Sequence, residues 1–314
     1  MASNERPTFS RDQITQYFER LKLPGDRRIY AVAHLEPQDA LDYLTVLQKH
    51  HLVEVPFENL ALHYSHHRQI SIHAQELFRK IISDNNGRGG YCMENNTLFG
   101  TLLRSLGFTL FSAGARVFDN GQFTGWSHMV NIVRVGDYKY HVDVGFGSNG
   151  PIVPMKLVKD GHVQQNIHPA AARLRWANIP VNTDPDQRLW LYEHRLDEKS
   201  DFQTIYCFTE LEFLPSDYNL MNYFTSTSPR TFFTQTVVVE KKVLGGDRND
   251  ELVGSLTLFN RDLKWRTHGQ KEREIHFESE DDRFKALEEH FGIQFGEFER
   301  ASIRGLTSEV KAKS

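Results

Sequence analysis

Arg88-Gly89-Gly90-Tyr91-Cys92-Met93-Glu94-Asn95-Asn96-Thr97-Leu98-Phe99-Gly100-Thr101-Leu102-Leu103-Arg104-Ser105-Leu106-Gly107 sets a cysteine where a glycine-rich turn becomes a helix. From Cys92 onward apolar residues recur at helical spacing as far as Gly107, a natural residue for a helix C-terminus. A helix start carries unpaired N–H groups and partial positive charge, which favour a thiolate held there. The thiolate is the reactive form of a cysteine. Gly89 and Gly90 permit a sharp turn and the close approach of a ligand. Taken alone, the same pattern also fits a buried structural cysteine behind a turn.

A second segment separates those readings. Trp126-Ser127-His128-Met129-Val130-Asn131-Ile132-Val133-Arg134-Val135 reads as a strand, Gly136-Asp137 as a tight turn, and Tyr138-Lys139-Tyr140-His141-Val142-Asp143-Val144 as the return strand. A two-residue loop pairs Val135 with Tyr138 and sets Val130 opposite Asp143. His128 then shares the face of Val130 and is the diagonal neighbour of Asp143, about 7–8 Å away at the backbone and within reach of its carboxylate. A bulge or a longer turn would break that register. Gly145-Phe146-Gly147 ends the strand in a ligand-permissive turn.

Cysteine, histidine and aspartate in this order supply a nucleophile, a base and an orienting group. Cys92 is the candidate nucleophile, His128 the group that takes the thiol proton, and Asp143 the group that holds the ring and stabilises the imidazolium. His141 shares Asp143's strand face and competes for the base role. His63, His66 and His67 lack the spacing of a standard zinc site, and neither cysteine lies in a metal-spacing pair. They read as a solvated loop, and no metal is expected.

Composition bounds the rest. The chain has 314 residues, which suggests two or three domains, and a net charge of −4 that argues against a nucleic-acid footprint. No apolar run approaches the roughly 20 residues of a membrane span. The first seven residues do not read as a secretory signal. Two cysteines give no disulfide framework, which fits a cytoplasmic setting. Cys207, between Tyr206 and Phe208, reads as core.

Along the chain, residues 1–108 read as helical. Ser10 opens a capping box before Ile14, Tyr17, Phe18 and Leu21. A second helix runs from Pro37 and ends before Pro56, and a third covers roughly 73–82. Residues 109–222 read as strand-rich, with a turn-rich connector at 177–186. Residues 223–314 read as a meander over 234–243, 251–260 and 263–266, with turns at Gly245-Gly246-Asp247 and Arg261-Asp262. A final helix follows, capped at Ser279 and ending at Gly292.

Several stretches in order resemble the arylamine N-acetyltransferases: Pro56-Phe57-Glu58-Asn59-Leu60, Arg88-Gly89-Gly90-Tyr91-Cys92 with Asn96 four residues on, His128, Asp143-Val144-Gly145-Phe146-Gly147, and Tyr223-Phe224-Thr225-Ser226-Thr227-Ser228-Pro229 with Phe232. The resemblance implies an α+β fold: an N-terminal helical bundle bearing the nucleophile, a central β-barrel bearing the histidine and aspartate, and a C-terminal α/β lid. Its catalytic core would be like that of the papain and transglutaminase superfamily. The implied activity is ping-pong transfer of an acetyl group, or a malonyl group as in some fungal members, from coenzyme A to arylamines, arylhydrazines or arylhydroxylamines. Xenobiotic detoxification is the role this implies. The acyl-CoA is a co-substrate, and no tightly bound cofactor is expected.

The resemblance also implies pocket residues. Phe146 and Val117 match positions facing the aromatic acceptor, and Phe57 is a candidate wall. Gly147, Ser148, Asn149 and Gly150 can bind coenzyme A phosphates through backbone N–H groups, or form only a turn. Some animal members carry arginine at the position of Ser148, so their acceptor selectivity does not transfer. Arg116 is a candidate partner for a malonyl carboxylate, but it adjoins Val117, and one of the two must point away. Two other classes use the same residues: a thiol hydrolase or transglutaminase, and a non-catalytic binding module.

Overall fold

The computed structural model describes residues 6–246 and 250–311. Asp247 of the expected third-stretch turn lies outside them. Among the described residues no helix is long and apolar enough to cross a membrane.

The N-terminal helices are Arg11–Arg20, Pro37–Glu54, Ala74–Phe78 with a π-helical continuation at Arg79–Ser83, and Cys92–Ser105. Ser10 makes the capping box, its side chain accepting from Gln13 N. Leu98, Phe99, Leu102 and Leu103 of the cysteine-bearing helix are fully buried. They share a core with Tyr17, Phe18, Leu44 and Leu47 of the earlier helices and with Val133, Val135 and Val142 of the hairpin. Each such side chain contributes about 1.5–3 kcal/mol on burial, so the helix is anchored between the other helices and the sheet.

Among the described residues that sheet has nine antiparallel strands, eight of them in one path: Met155–Lys156, Tyr138–Val142, His128–Val135, Thr109–Asp119, Gln203–Glu212, Leu189–Arg195, Ala171–Ala177 and Val163–Gln165. It rolls into a nearly closed barrel. Alternate side chains fill the interior: Ala113, Ala115, Val130, Ile132, Tyr192, Tyr206 and Phe208 pack together. The hairpin has the expected register. Val135 pairs with Tyr138, and pairing continues without a bulge to Asn131 opposite Val142. Gly136 takes a positive φ of 56° at the turn, which suits glycine.

A second, five-stranded sheet begins with a strand that the sequence left unread. Phe57–Glu58 pairs with Val239 and Glu240, so the early motif joins the C-terminal meander. Val238–Gly245, Glu251–Phe259 and Asp262–Thr267 follow, and Gln270–His276 adds an edge strand absent from the sequence reading. Its charged, exposed residues give no apolar alternation, and they suit an edge that must not pair further. The helix Glu280–Phe291 packs on this sheet, capped by Ser279 and ended by Gly292 in the left-handed conformation. The helix Pro215–Thr227 runs across position 222, where the sequence reading drew a boundary.

Candidate active site

The cysteine is held by buried charge. Glu58 is fully buried and accepts from Arg88 Nε at 3.0 Å, Gly89 N at 3.2 Å and Leu60 N, with Lys80 Nζ at 3.5 Å. Lys80 also donates to Glu94 Oε1 at 2.7 Å, and Glu94 accepts from Tyr91 N at 3.1 Å, covering the helix start. Burial works against ionisation of both carboxyls. Arg88 and Lys80 overcome it at Glu58, which is held below its ordinary value, whereas Glu94, next to that charge, is raised. Gly89 N–H and Gly90 pack on the Pro56–Glu58 strip: Gly90 N donates to Pro56 O, Glu58 N donates to Gly90 O, and a side chain at Gly89 would strike Pro56 O. The two motifs at 56–60 and 88–92 are therefore one structural unit.

Cys92 is the first residue of its helix and is almost fully buried. Its Sγ lies 3.8 Å from Ser127 O, beside His128, and the thiol is among the groups that raise that ring. His128 Nε2 donates to Asp143 Oδ2 at 2.8 Å, which leaves Nδ1 as the nitrogen free to serve the thiol. Burial disfavours the charged ring. The Asp143 charge and hydrogen bond, with the Cys92 interaction, outweigh it and raise His128 to about 10. Burial likewise opposes Asp143's charge, but His128 and the donors around it hold that carboxyl at about 2. The structure thus places His128 against Asp143 as the hairpin register implied, and the helix Cys92–Ser105 sets Cys92 beside them.

Four donors fix the Asp143 carboxylate. Oδ1 accepts from Asn96 Nδ2 and Gly145 N, each at 2.8 Å; Oδ2 accepts from His128 and from the Tyr206 hydroxyl at 2.9 Å. Asn96 also donates to Met129 O at 2.8 Å and accepts from Val144 N at 3.1 Å, tying the cysteine helix to both strands of the hairpin. Asn96 was legible, because four residues along a helix returns to the face of Cys92. Tyr206 was not: it comes from a strand 63 residues further on.

The other expected residues fall into two groups. Phe146 is half-buried, its ring 5.2 Å from His128 and 4.9 Å from Tyr206. Val117 pairs with Tyr206 and stands two residues beyond Ala115, the partner of His128. It therefore faces the same side as His128. Phe57 is half-buried beside the Cys92 cluster, with its ring against Phe233 at 6.0 Å. Arg116 points to the other face of its strand, its guanidinium 4.0 Å from the Trp126 ring centroid and bonded to Thr124 O.

Gly147 to Gly150 form a turn pressed against Phe57. Their carbonyls are occupied: Lys242 Nζ donates to Gly147 O and Ser148 O at 3.0 Å each, Tyr192 to Asn149 O at 2.9 Å, and Asn166 to Gly150 O at 3.1 Å. The Ser148 hydroxyl donates to Glu240, which is buried against Lys242 at 2.7 Å. This ion pair of the C-terminal sheet was invisible in the sequence.

His63 is not in a solvated loop: it is fully buried, bonded to Ser308 Oγ at 2.8 Å and Phe233 O at 3.0 Å, and holds the C-terminal segment. Its ring stays neutral, since burial lowers it to about 4. No group of three or more His, Cys, Asp or Glu side chains able to hold a metal occurs among the described residues.

Residues 40–300 match the model of the N-acetyltransferase family. The chain is 35% identical over 327 residues to the N-malonyltransferase FDB2 of Gibberella moniliformis, covering 95% of this chain and 93% of that protein. It is 30% identical to the arylamine N-acetyltransferase pineal gland isozyme NAT-10 of Gallus gallus, over 75% of this chain and 79% of that one. In fold it is similar to the Mycobacterium marinum arylamine N-acetyltransferase solved in complex with CoA, with a TM-score of 0.74, 24% identity and coverage of 93% and 99%.

Proposed function

This chain belongs to the arylamine N-acetyltransferase family, and we propose that it carries an acetyl or malonyl group from coenzyme A to an aromatic amine, hydrazine or hydroxylamine through a thioester on Cys92. It is an enzyme of the arylamine acyltransferase type. The observation that supports the mechanism is the meeting of Cys92, at a helix start, with a histidine whose far nitrogen is held by a four-coordinated carboxylate.

His128 accepts the thiol proton, and the sulfur attacks the acyl carbonyl of the thioester. The oxyanion forms beside the backbone N–H groups at the helix start, including that of Cys92. The tetrahedral centre collapses, coenzyme A leaves as a thiol bearing the proton from His128, and the acyl group remains on sulfur. An aromatic amine, largely unprotonated at neutral pH, then attacks the thioester carbonyl. His128 takes its proton, and collapse releases the amide and regenerates Cys92. Phe146, Val117 and Phe57 form the acceptor's apolar walls, and the N–H groups of Gly147, Ser148 and Asn149 hold the coenzyme phosphates; Gly150 drops out of the expected set, because its N–H donates to Gly147 O at 3.2 Å and closes the turn. In this reading residues 1–108 bring the nucleophile, 109–222 the base and its orienting acid, and 223–314 the cover that fixes the coenzyme turn.

The donor is argued from relatives. The Gibberella protein named a malonyltransferase aligns over 95% of this chain, which supports malonyl-CoA; the Gallus protein named an acetyltransferase supports acetyl-CoA over a shorter span of 75%. The test is intact-protein mass after mixing with acetyl-, malonyl- or propionyl-CoA in the absence of acceptor. The expected result is an adduct on Cys92 that disappears when an aromatic amine is added, is absent in Cys92→Ala, and identifies the donor by its mass. No adduct from any donor would overturn the acyltransferase mechanism. Loss of the adduct without an amine would favour a thiol hydrolase.

A further inference from the structure

We propose that His141, as a neutral imidazole with its proton on Nε2, is a positioning residue that acts through Tyr206 on Asp143. The proposal rests on the reading of Cys92, His128 and Asp143 as the reacting groups, and it adds a residue that touches none of the reactants.

His141 is fully buried in the barrel, stacked on Phe208 at 4.6 Å and on Tyr192 at 6.0 Å. A side chain that only filled this space would be better apolar, since a buried imidazole costs free energy unless it is hydrogen-bonded. The hydrogen bond it does make goes to the Tyr206 hydroxyl at 3.0 Å, and that same hydroxyl is 2.9 Å from Asp143 Oδ2. Counting protons settles the tautomer. Tyr206 has a single hydroxyl proton, and an ionised carboxylate can only accept. The proton therefore points at Asp143, so Nε2 of His141 must donate to the tyrosine oxygen. Nδ1 is then bare, which agrees with its having no partner among the described groups. Burial, reinforced by the nearby His128 charge, outweighs Asp143 and lowers the ring to about 4, so it stays uncharged at neutral pH.

The consequence follows from cooperativity. An N–H donated to the tyrosine oxygen strengthens that tyrosine as a donor. The Oδ2 of Asp143 is then held between His128 and Tyr206 while Oδ1 is held by Asn96 and the Gly145 amide. The carboxylate plane is fixed, and part of its charge is drawn away from His128. The titratable groups facing this pair are Cys92 from the helix, Tyr206 and Tyr192 from neighbouring strands, and His141 itself. Of these, His141 and Tyr192 lie outside the chemistry.

The test compares the parent with His141→Phe, which keeps a ring in the stack but no donor, and His141→Gln, whose amide can reach Tyr206. Imidazole NMR titration of His128 needs no acyl donor, so it reads the relay even if the acyltransferase reading fails. In His141→Phe the His128 midpoint should rise, and kcat/KM should fall about five- to tenfold, the worth of one hydrogen bond. His141→Gln should restore both toward the parent. Equal changes in the two variants, or none in His141→Phe, would overturn the proposal. So would ring nitrogen shifts in the unaltered protein that placed the His141 proton on Nδ1, a measurement that requires no variant to fold.

Discussion

Gly145→Ala should cripple the nucleophile with a single methyl group. A Cβ on Gly145 would lie 2.7 Å from Cys92 Cα and 2.8 Å from both the Cys92 carbonyl oxygen and Asn96 Nδ2. Ordinary contact begins at 3.4 Å, so the hairpin end and the helix start must part by about 0.7 Å. Gly145 does not need a positive φ, so the effect is steric and not conformational. Asn96 cannot swing aside cheaply, because its amide holds Asp143 Oδ1, Met129 O and Val144 N. Overpacking of this kind costs about 1–3 kcal/mol of stability. Misplacing a reacting group by about 1 Å costs on the order of 10²-fold in rate, so a shift of this size should slow acyl-enzyme formation by about 10- to 100-fold. The assay is rapid-quench mass of the Cys92 adduct at saturating acyl-CoA, alongside urea unfolding of the same sample. Gly25→Ala is the control, since a Cβ there meets nothing within 4 Å. If Gly145→Ala stays folded and acylates within about twofold of the parent, the close approach does not set the nucleophile's position.

Stability should peak near pH 6.5. His128 is raised to about 10, so its contribution is complete below the unfolded value of about 6.5 and is lost as pH rises through 10. His51, lowered to about 3, and His63, His141 and His194, lowered to about 4 by burial, contribute above about 6.5 and lose that contribution as pH falls toward those values. Urea midpoints from pH 4.5 to 9.5 should trace this maximum, and Asp143→Asn should flatten its alkaline side; a parent midpoint that climbs from pH 6.5 to 9 would contradict it. Glu58→Gln strips the charge between Arg88 and Lys80, and should cost about 3–5 kcal/mol in urea unfolding, the scale for breaking a buried pair. An unchanged midpoint would mean that the quartet does not hold the cysteine turn. Lys242→Met frees the carbonyls of Gly147 and Ser148 and takes the ammonium partner from Glu240, so KM for acyl-CoA should rise more than kcat falls. Steady-state kinetics showing an unaltered KM would remove that turn from coenzyme binding.

The local geometry of His128, Asp143 and Asn96 was legible from the residues alone. A two-residue turn set the hairpin register, and a diagonal pair then placed His128 against Asp143 without any long-range information. Helical spacing likewise placed Asn96 on the face of Cys92. Apolar periodicity also located the four N-terminal helices, the helix Glu280–Phe291 and the strands of the hairpin and the C-terminal meander, because each such face must be buried somewhere; the short helix Glu297–Ala301 follows the one that the sequence marks as final. Gln270–His276 escaped because an exposed edge strand has no face to bury, and His63 was misread because a histidine pattern does not reveal its partners.

What surrounds those side chains depends instead on packing between distant parts of the chain. Tyr206 reaches Asp143 from 63 residues away, Lys242 reaches the carbonyls of Gly147 and Ser148 from 95 and 94, and Phe57 and Glu58 find their strand partner in the C-terminal sheet. Pairings at such separations are chosen by which strands the nearly closed barrel and second sheet bring side by side. A hydroxyl, an ammonium or a carboxylate carries no sequence period that announces its partner. The physical reason is the same throughout: local patterns are dictated by backbone geometry, whereas a buried polar group is satisfied by whatever the completed core leaves within about 3 Å.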